Sequence, residues 1–175
     1  MFHILNTIDK SKLVPLTDGC KTVSILMFIT KKDNVIRTFQ IIKKFHTMYP
    51  GSRIKIYFKP LYCNERPIRR LKMKIEEFGR GVDYDILTSI EECTIILNRF
   101  ENSFSVDLDK KATVVKFGDY FFNGMNDILL VFGDEKLGID PEINSLTKNF
   151  IMLDTHRSIN LVCATTVFLY EFLIS

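Results

Sequence analysis

Two runs limit what this chain can become: Val23-Ser24-Ile25-Leu26-Met27-Phe28-Ile29 and Ile128-Leu129-Leu130-Val131-Phe132. Each is short and apolar over nearly every consecutive position. A strand with one wet face alternates apolar and polar residues, whereas a continuous run suits a strand covered on both faces. Such strands belong to parallel sheets flanked by helices. The intervening segments agree. Residues 34–47 take a helical period, with Val35, Phe39 and Ile42 on one stripe and Gln40, Lys43 and Lys44 off it. Asp33 or Asn34 is the expected cap of that helix, and Pro50-Gly51 the turn after it. Arg53–Phe58 alternates as a strand. Further expected strands are 94–97, 113–117 and 150–153, and further expected helices 69–78, 85–92 and 160–173. Strands alternating with helices imply an α/β domain with a mainly parallel sheet. Residues 101–127 are the least regular part and are expected to hold a strand and loops around a site.

The 175 residues suit one domain, expected over 23–175, with 1–22 as an arm or leader of unassigned role. No internal repeat or low-complexity linker interrupts it. A net charge of +3 is too small for a protein that coats nucleic acid, but leaves room for a local basic patch. Cys20, Cys63, Cys93 and Cys163 form no C-x-x-C pair and have no histidine at ligand spacing, so no metal is expected. Cys93 and Cys163 sit in apolar runs and read as small core residues of a protein in a reducing, cytoplasmic compartment. No apolar stretch approaches the ~20 residues that span a bilayer, so no membrane partner is expected. The terminal helix is apolar nearly all round, through Leu161, Val162, Cys163, Ala164, Val167, Phe168, Leu169 and Phe172. It must be covered on most sides, either by its own chain or by a second subunit.

Three segments carry chemistry. Asn34-Val35-Ile36-Arg37 follows the first strand, Phe132-Gly133-Asp134-Glu135-Lys136-Leu137-Gly138 leaves the late buried strand, and Ser158-Ile159-Asn160-Leu161 opens the last helix. Gly133 and Gly138 bracket a tight strand-exit turn, where glycine permits close ligand approach. Turns at strand carboxyl ends are where open α/β sheets bind ligands. Ser158 and Asn160 are placed to cap the last helix or to bond a ligand. Taken singly, each segment has an ordinary structural explanation: a chance loop, a helix cap, a solvated arginine. Their joint occurrence in this order is more specific.

That ordered set resembles the three motifs of the SpoU/TrmH branch of the SPOUT RNA methyltransferases, nearest the short tRNA wobble-ribose enzymes of the TrmL kind. N-x-x-R corresponds to Asn34 with Arg37, F-G-x-E-x-x-G to Phe132–Gly138, and S-x-N-L to Ser158, Asn160 and Leu161. The resemblance covers about residues 23 to 174 and is strongest in the last third. It implies a Rossmann-like sheet with a C-terminal deep trefoil knot, S-adenosyl-L-methionine as methyl donor, tRNA or rRNA as substrate, ribose 2′-O-methylation, and a homodimer packed through the last helix. By the same likeness Arg37, Asn34, Glu135, Ser158 and Asn160 would form the catalytic group. Leu97, Gly133, Gly138, Phe150, Ile151 and Ile159 would hold the donor. Lys31, Lys32, Arg69 and Arg70 are the expected RNA-binding cations, against the alternative that they are solvated helix faces. The chain departs from the pattern at Thr30-Lys31-Lys32-Asp33, near Ile151 and at Val162. Those departures keep open a catalytically weakened RNA-binding or scaffold protein on the same fold.

Overall fold

The computed structural model describes residues 20–61, 65–107, 111–155 and 159–175. Residues 1–19 of the arm expected over 1–22, Cys63 and Ser158 lie outside the described residues, and Thr22 opens the first strand instead of closing the arm. In chain order the elements are β1 (Thr22–Ile29), α1 (Lys32–Met48), β2 (Arg53–Pro60), α2 (Glu65–Phe78), β3 (Asp83–Ile86), α3 (Ile90–Leu97), β4 (Ser103–Val106), β5 (Thr113–Val115), β6 (Asp127–Phe132), α4 (Pro141–Leu146), β7 (Asn149–Leu153) and α5 (Leu161–Ile174). All seven strands form one sheet in the order β3-β2-β1-β6-β4-β7-β5. Every pairing is parallel.

The two apolar runs occupy the places their composition demands. β1 and β6 are neighbours in the sheet's interior, and all but the first residue of each is buried. Alternate side chains feed two cores. Val23, Ile25, Met27, Ile128, Leu130 and Phe132 pack with α1, α2 and α5. Leu26, Phe28, Tyr57, Leu129 and Val131 pack with α3 and α4 on the other face. The result is a three-layer α/β/α domain.

β6 is inserted between β1 and β4, and β7 between β4 and β5. The carboxyl ends of β1, β6, β4 and β7 therefore stand side by side. Strand order reverses at the β1–β6 boundary, the kind of switch point beside which open α/β sheets bind ligands.

Several expectations are corrected. Residues 94–97 are the last turn of α3 rather than a strand, and 85–92 hold the end of β3 and the start of that helix. Ser89 and Glu92 form a reciprocal capping box, which starts the helix at Ile90. Cys93, Ile96 and Leu97 then fall at helical spacing on the buried side, and this packing overrides the β preference of Thr94-Ile95-Ile96. The irregular segment contains two strands, β4 and β5. α4 was not expected; Asp140 caps it and Pro141 opens it. Neither Asp33 nor Asn34 caps α1, whose N-cap is Lys31 without a side-chain bond. Cys93 is buried as expected, but Cys163 is only half-buried. α5 is covered largely by its own chain, with a half-exposed stripe left at Cys163, Thr166, Val167, Tyr170 and Ile174. No helix among the described residues is long and apolar enough to cross a membrane.

Candidate functional site

The carboxyl ends of β4, β6 and β7 and the first two turns of α5 line a half-open cavity of about 390 Å³. Its largest wall is the turn leaving β6, which contributes every residue from Gly133 to Ile139. That turn closes on itself: the Asp134 N–H donates to the Gly138 carbonyl at 3.1 Å, and the Gly138 N–H donates back at 2.8 Å. Gly138 sits at φ +70, a conformation that disfavours side chains. A Cβ on Gly133 would lie 2.4 Å from the Gly138 carbonyl carbon, so the two limbs approach as closely as they do only because residue 133 has no side chain. Both glycines of the motif are thus required by geometry.

Asp134 is buried and organises the turn. One carboxylate oxygen accepts the N–H groups of Lys136 (3.0 Å) and Leu137 (3.3 Å), and the other accepts the Thr30 hydroxyl at 2.5 Å. Burial alone would raise the carboxyl's pKa, but these donors, together with nearby Lys31, outweigh it and hold the group below its ordinary value. At pH 7 Asp134 is therefore an anion that only accepts hydrogen bonds.

Glu135 gathers the other two segments. Its Oε1 accepts the side-chain amide of Asn34 at 2.9 Å and that of Asn160 at 3.4 Å, while Oε2 pairs with Lys31 at 3.5 Å. Asn34 is buried on the first turn of α1, where its amide serves this contact instead of a cap. Asn160 is the N-cap of α5, its carbonyl oxygen accepting the Val162 N–H at 3.0 Å. Segments 101 residues before and 25 residues after Glu135 thus meet on its one carboxylate. Arg37 follows Asn34 by three positions, is exposed, and lies next to it on the helix surface.

Of the expected donor-binding residues, Gly133, Gly138 and Ile159 line the cavity, as does Glu135. Leu97, Phe150 and Ile151 do not. Leu97 is corrected by the fold: it lies in α3, in the core on the sheet's other face. At the end of β4, Val106 and the residue after it, Asp107, line the cavity instead. Phe150 and Ile151 stop short of the strand's end, and Met152 and Leu153 line the cavity in their place. Ile151 contributes indirectly, its carbonyl accepting the Asp107 N–H at 3.1 Å. Ser158 lies outside the described residues, while Thr155 and Ile159 on either side of it line the cavity. Sequence reasoning missed Thr30 and Asp134 as working residues. It also missed Asp107, for which the irregularity of 101–127 was the only signal. Lys31 and Lys32 are exposed at the start of α1, and Arg69 and Arg70 are exposed on α2, away from the cavity lining.

The lining combines an apolar slot (Phe132, Ile139, Leu161, Ala164, Phe168) with the turn and the acidic residues Asp107, Asp134 and Glu135. This mixture and volume fit a nucleoside-sized ligand whose flat base is buried and whose polar atoms meet backbone groups.

No protein-family model and no curated protein sequence matches the chain. Solved structures do. The TrmH/SpoU tRNA modifying enzyme of A. aeolicus superposes with a TM-score of 0.61 at 17% identity, over 98% of this chain and 82% of that one. A protein studied for the 2-OH methylation of C/U34 on tRNA gives 0.59 at 16%, over 88% and 95%. The SpoU methyltransferase AviRb of Streptomyces viridochromogenes, solved with AdoMet, gives 0.62 at 12%, over 91% and 59%. The chain spans about three fifths of AviRb and of a TrmH-family protein from Porphyromonas gingivalis (61%). At these identities the likeness is one of architecture: the described residues have the all-parallel, seven-stranded fold of the SpoU/TrmH RNA methyltransferases.

Proposed function

We propose that this protein is an S-adenosylmethionine-dependent RNA ribose 2′-O-methyltransferase, acting on tRNA as the first choice and rRNA as the second. The reading rests above all on the convergence at Glu135, where Asn34 and Asn160 meet at the wall of a nucleoside-sized cavity. The likeness to SpoU/TrmH structures supports it, one of them bound to AdoMet and one concerned with tRNA 2-OH methylation. The deep knot that the resemblance implies belongs to the same proposal.

The apolar slot and the backbone of 133–139 would hold the donor, with Ile159 against the adenine and Val106–Asp107 at the other limb. When bound, the donor supplies a methyl group on a sulfonium, which needs no metal to be electrophilic. The chain's own task is to align the hydroxyl and to manage its charge. A ribose hydroxyl is a weak nucleophile until its proton leaves or its developing charge is stabilised. A guanidinium stays protonated at physiological pH and does not serve as a base. Arg37 would instead grip the adjacent phosphate and stabilise developing alkoxide charge. Glu135 would hold Asn34 and Asn160 in register, so that the first turn of α1, and Arg37 with it, keeps its place beside the cavity. Burial of the donor in the cavity would exclude water from the reacting atoms.

Dimerisation through α5 belongs to this proposal. The half-exposed stripe of α5 continues into Phe117, which is 65% exposed and stacks on Tyr170 at 5.2 Å.

The test is incubation with total RNA and methyl-labelled donor, followed by nucleoside mass spectrometry and site mapping. A labelled 2′-O-methylnucleoside is expected. Label on a base nitrogen would reassign the reaction, and donor binding absent by calorimetry would favour the scaffold reading.

A further inference from the structure

We infer that Thr30 and Asp134 form a positioning device that sets the shape of the cavity wall, and through it the affinity for the donor. This rests on the donor-binding reading of the cavity. Neither residue belongs to the group that meets at Glu135, yet their geometry controls that group from both sides.

Thr30 follows the last residue of β1 and precedes Lys31, the N-cap of α1. Asp134 is the second residue beyond β6, the strand paired with β1. Their 2.5 Å bond therefore ties together the ends of two adjacent strands at the point where each chain leaves the sheet. On one side of the tie, four residues along the chain, stands Asn34. On the other, one residue along, stands Glu135. The Asn34–Glu135 bond at 2.9 Å spans the same two segments. If the first tie loosens, the second loses its register.

The other Asp134 oxygen holds the N–H groups of Lys136 and Leu137, which have no partner on an adjacent strand at this bend. With the backbone pairing of Asp134 and Gly138, one side chain thus constrains the turn from inside. A buried anion bonded to two N–H groups and a hydroxyl is a strong, directional anchor. Every residue from 133 to 139 lines the cavity, so a slack turn is a slack pocket.

The experiment uses the full chain, comparing wild type with Thr30→Val and Thr30→Ser. Valine matches threonine in shape and removes only the hydroxyl; serine restores it. Three quantities are read: calorimetric affinity for S-adenosylmethionine, the split between kcat and KM for the donor, and amide hydrogen exchange at Lys136 and Leu137. Thr30→Val is expected to weaken donor binding roughly tenfold, the scale of a lost charge-assisted bond. It should raise KM more than it lowers kcat, and speed exchange at both amides. Thr30→Ser should restore all three. Wild-type affinity in Thr30→Val, unchanged exchange, or failure of serine to restore binding would each overturn the proposal. If the wild type itself does not bind the donor, the functional reading fails separately. The exchange data alone then decide whether the pair holds the turn: faster exchange in Thr30→Val supports the tie, and unchanged exchange overturns it.

Discussion

Arg37 stands three positions along α1 from Asn34, a partner of Glu135, yet the two residues carry different kinds of work. Glu135 is committed to Asn34, Asn160 and Lys31, which makes it a structural hub. Arg37 is exposed beside that hub, and on the proposed function it would meet a substrate phosphate. Arg37→Ala is therefore expected to lower methyl transfer by about 100-fold or more while leaving donor affinity unchanged, the scale seen when one stabilising donor is lost from a developing oxyanion. Arg37→Lys should recover little, because a point charge does not reproduce the planar fork. Single-turnover methylation beside donor calorimetry checks both. At this scale Gly133, Gly138 and Glu135 were legible in the sequence through the ordered set of three segments, not through the glycine turn alone, and all three line the cavity. Asp134 was not. An aspartate in a turn has many ordinary partners, and only the approach of Thr30 from another strand gives it one task.

At the scale of elements, α5 does more than cover the sheet. Glu171, 1% exposed, accepts the N–H of Gly118 at 2.8 Å and of Phe121 at 3.3 Å, so the helix holds the loop between β5 and β6. Gly118 at φ +86 lets that loop turn towards the carboxylate. Phe122 locks the same loop from the core, packed edge-on against Phe104 and Phe172. At the same carboxyl end of the helix Lys21 donates to the Phe172 carbonyl at 2.9 Å, a cation at the negative pole of the helix. Glu171→Leu is expected to destabilise the fold by about 1–3 kcal/mol, because two N–H groups lose a charged acceptor. Glu171→Gln, which keeps one acceptor oxygen, should cost less. Thermal unfolding of the two variants gives the comparison, and equal melting temperatures would remove the strut role. The element reading of the sequence failed chiefly at α3. There local β preference competed with a capping box and a buried helical stripe, and the stripe was visible only once the sheet was there to receive it.

For the whole molecule, a net charge of +3 means that any hold on RNA must come from where the cations sit. Lys31 and Lys32 at the start of α1 and Arg69 and Arg70 on α2 follow adjacent strands and are all exposed. If they contact phosphates, log affinity for RNA falls linearly with log salt, by roughly 0.7 per contact on single-stranded substrate. Replacing Lys32, Arg69 and Arg70 by Gln should lower that slope by about two units across unrelated sequences. A filter-binding salt titration reads the slope, and an unchanged value would return these residues to the solvated surface.

The sequence by itself determined the layers. Continuous apolar runs can be satisfied only in a sheet covered on both faces, and helical periods between them supply the cover. It also singled out the glycine turn over 133–138 that lines the cavity, since only glycine tolerates that backbone path. Tertiary structure alone decided the strand order, with β6 and β7 placed between earlier strands, because hydrophobic pattern assigns a strand to the interior without naming its neighbours. That order is what brings Thr30 to Asp134, and Asn34 and Asn160 to Glu135, contacts between residues so far apart in the chain that no local spacing encodes them.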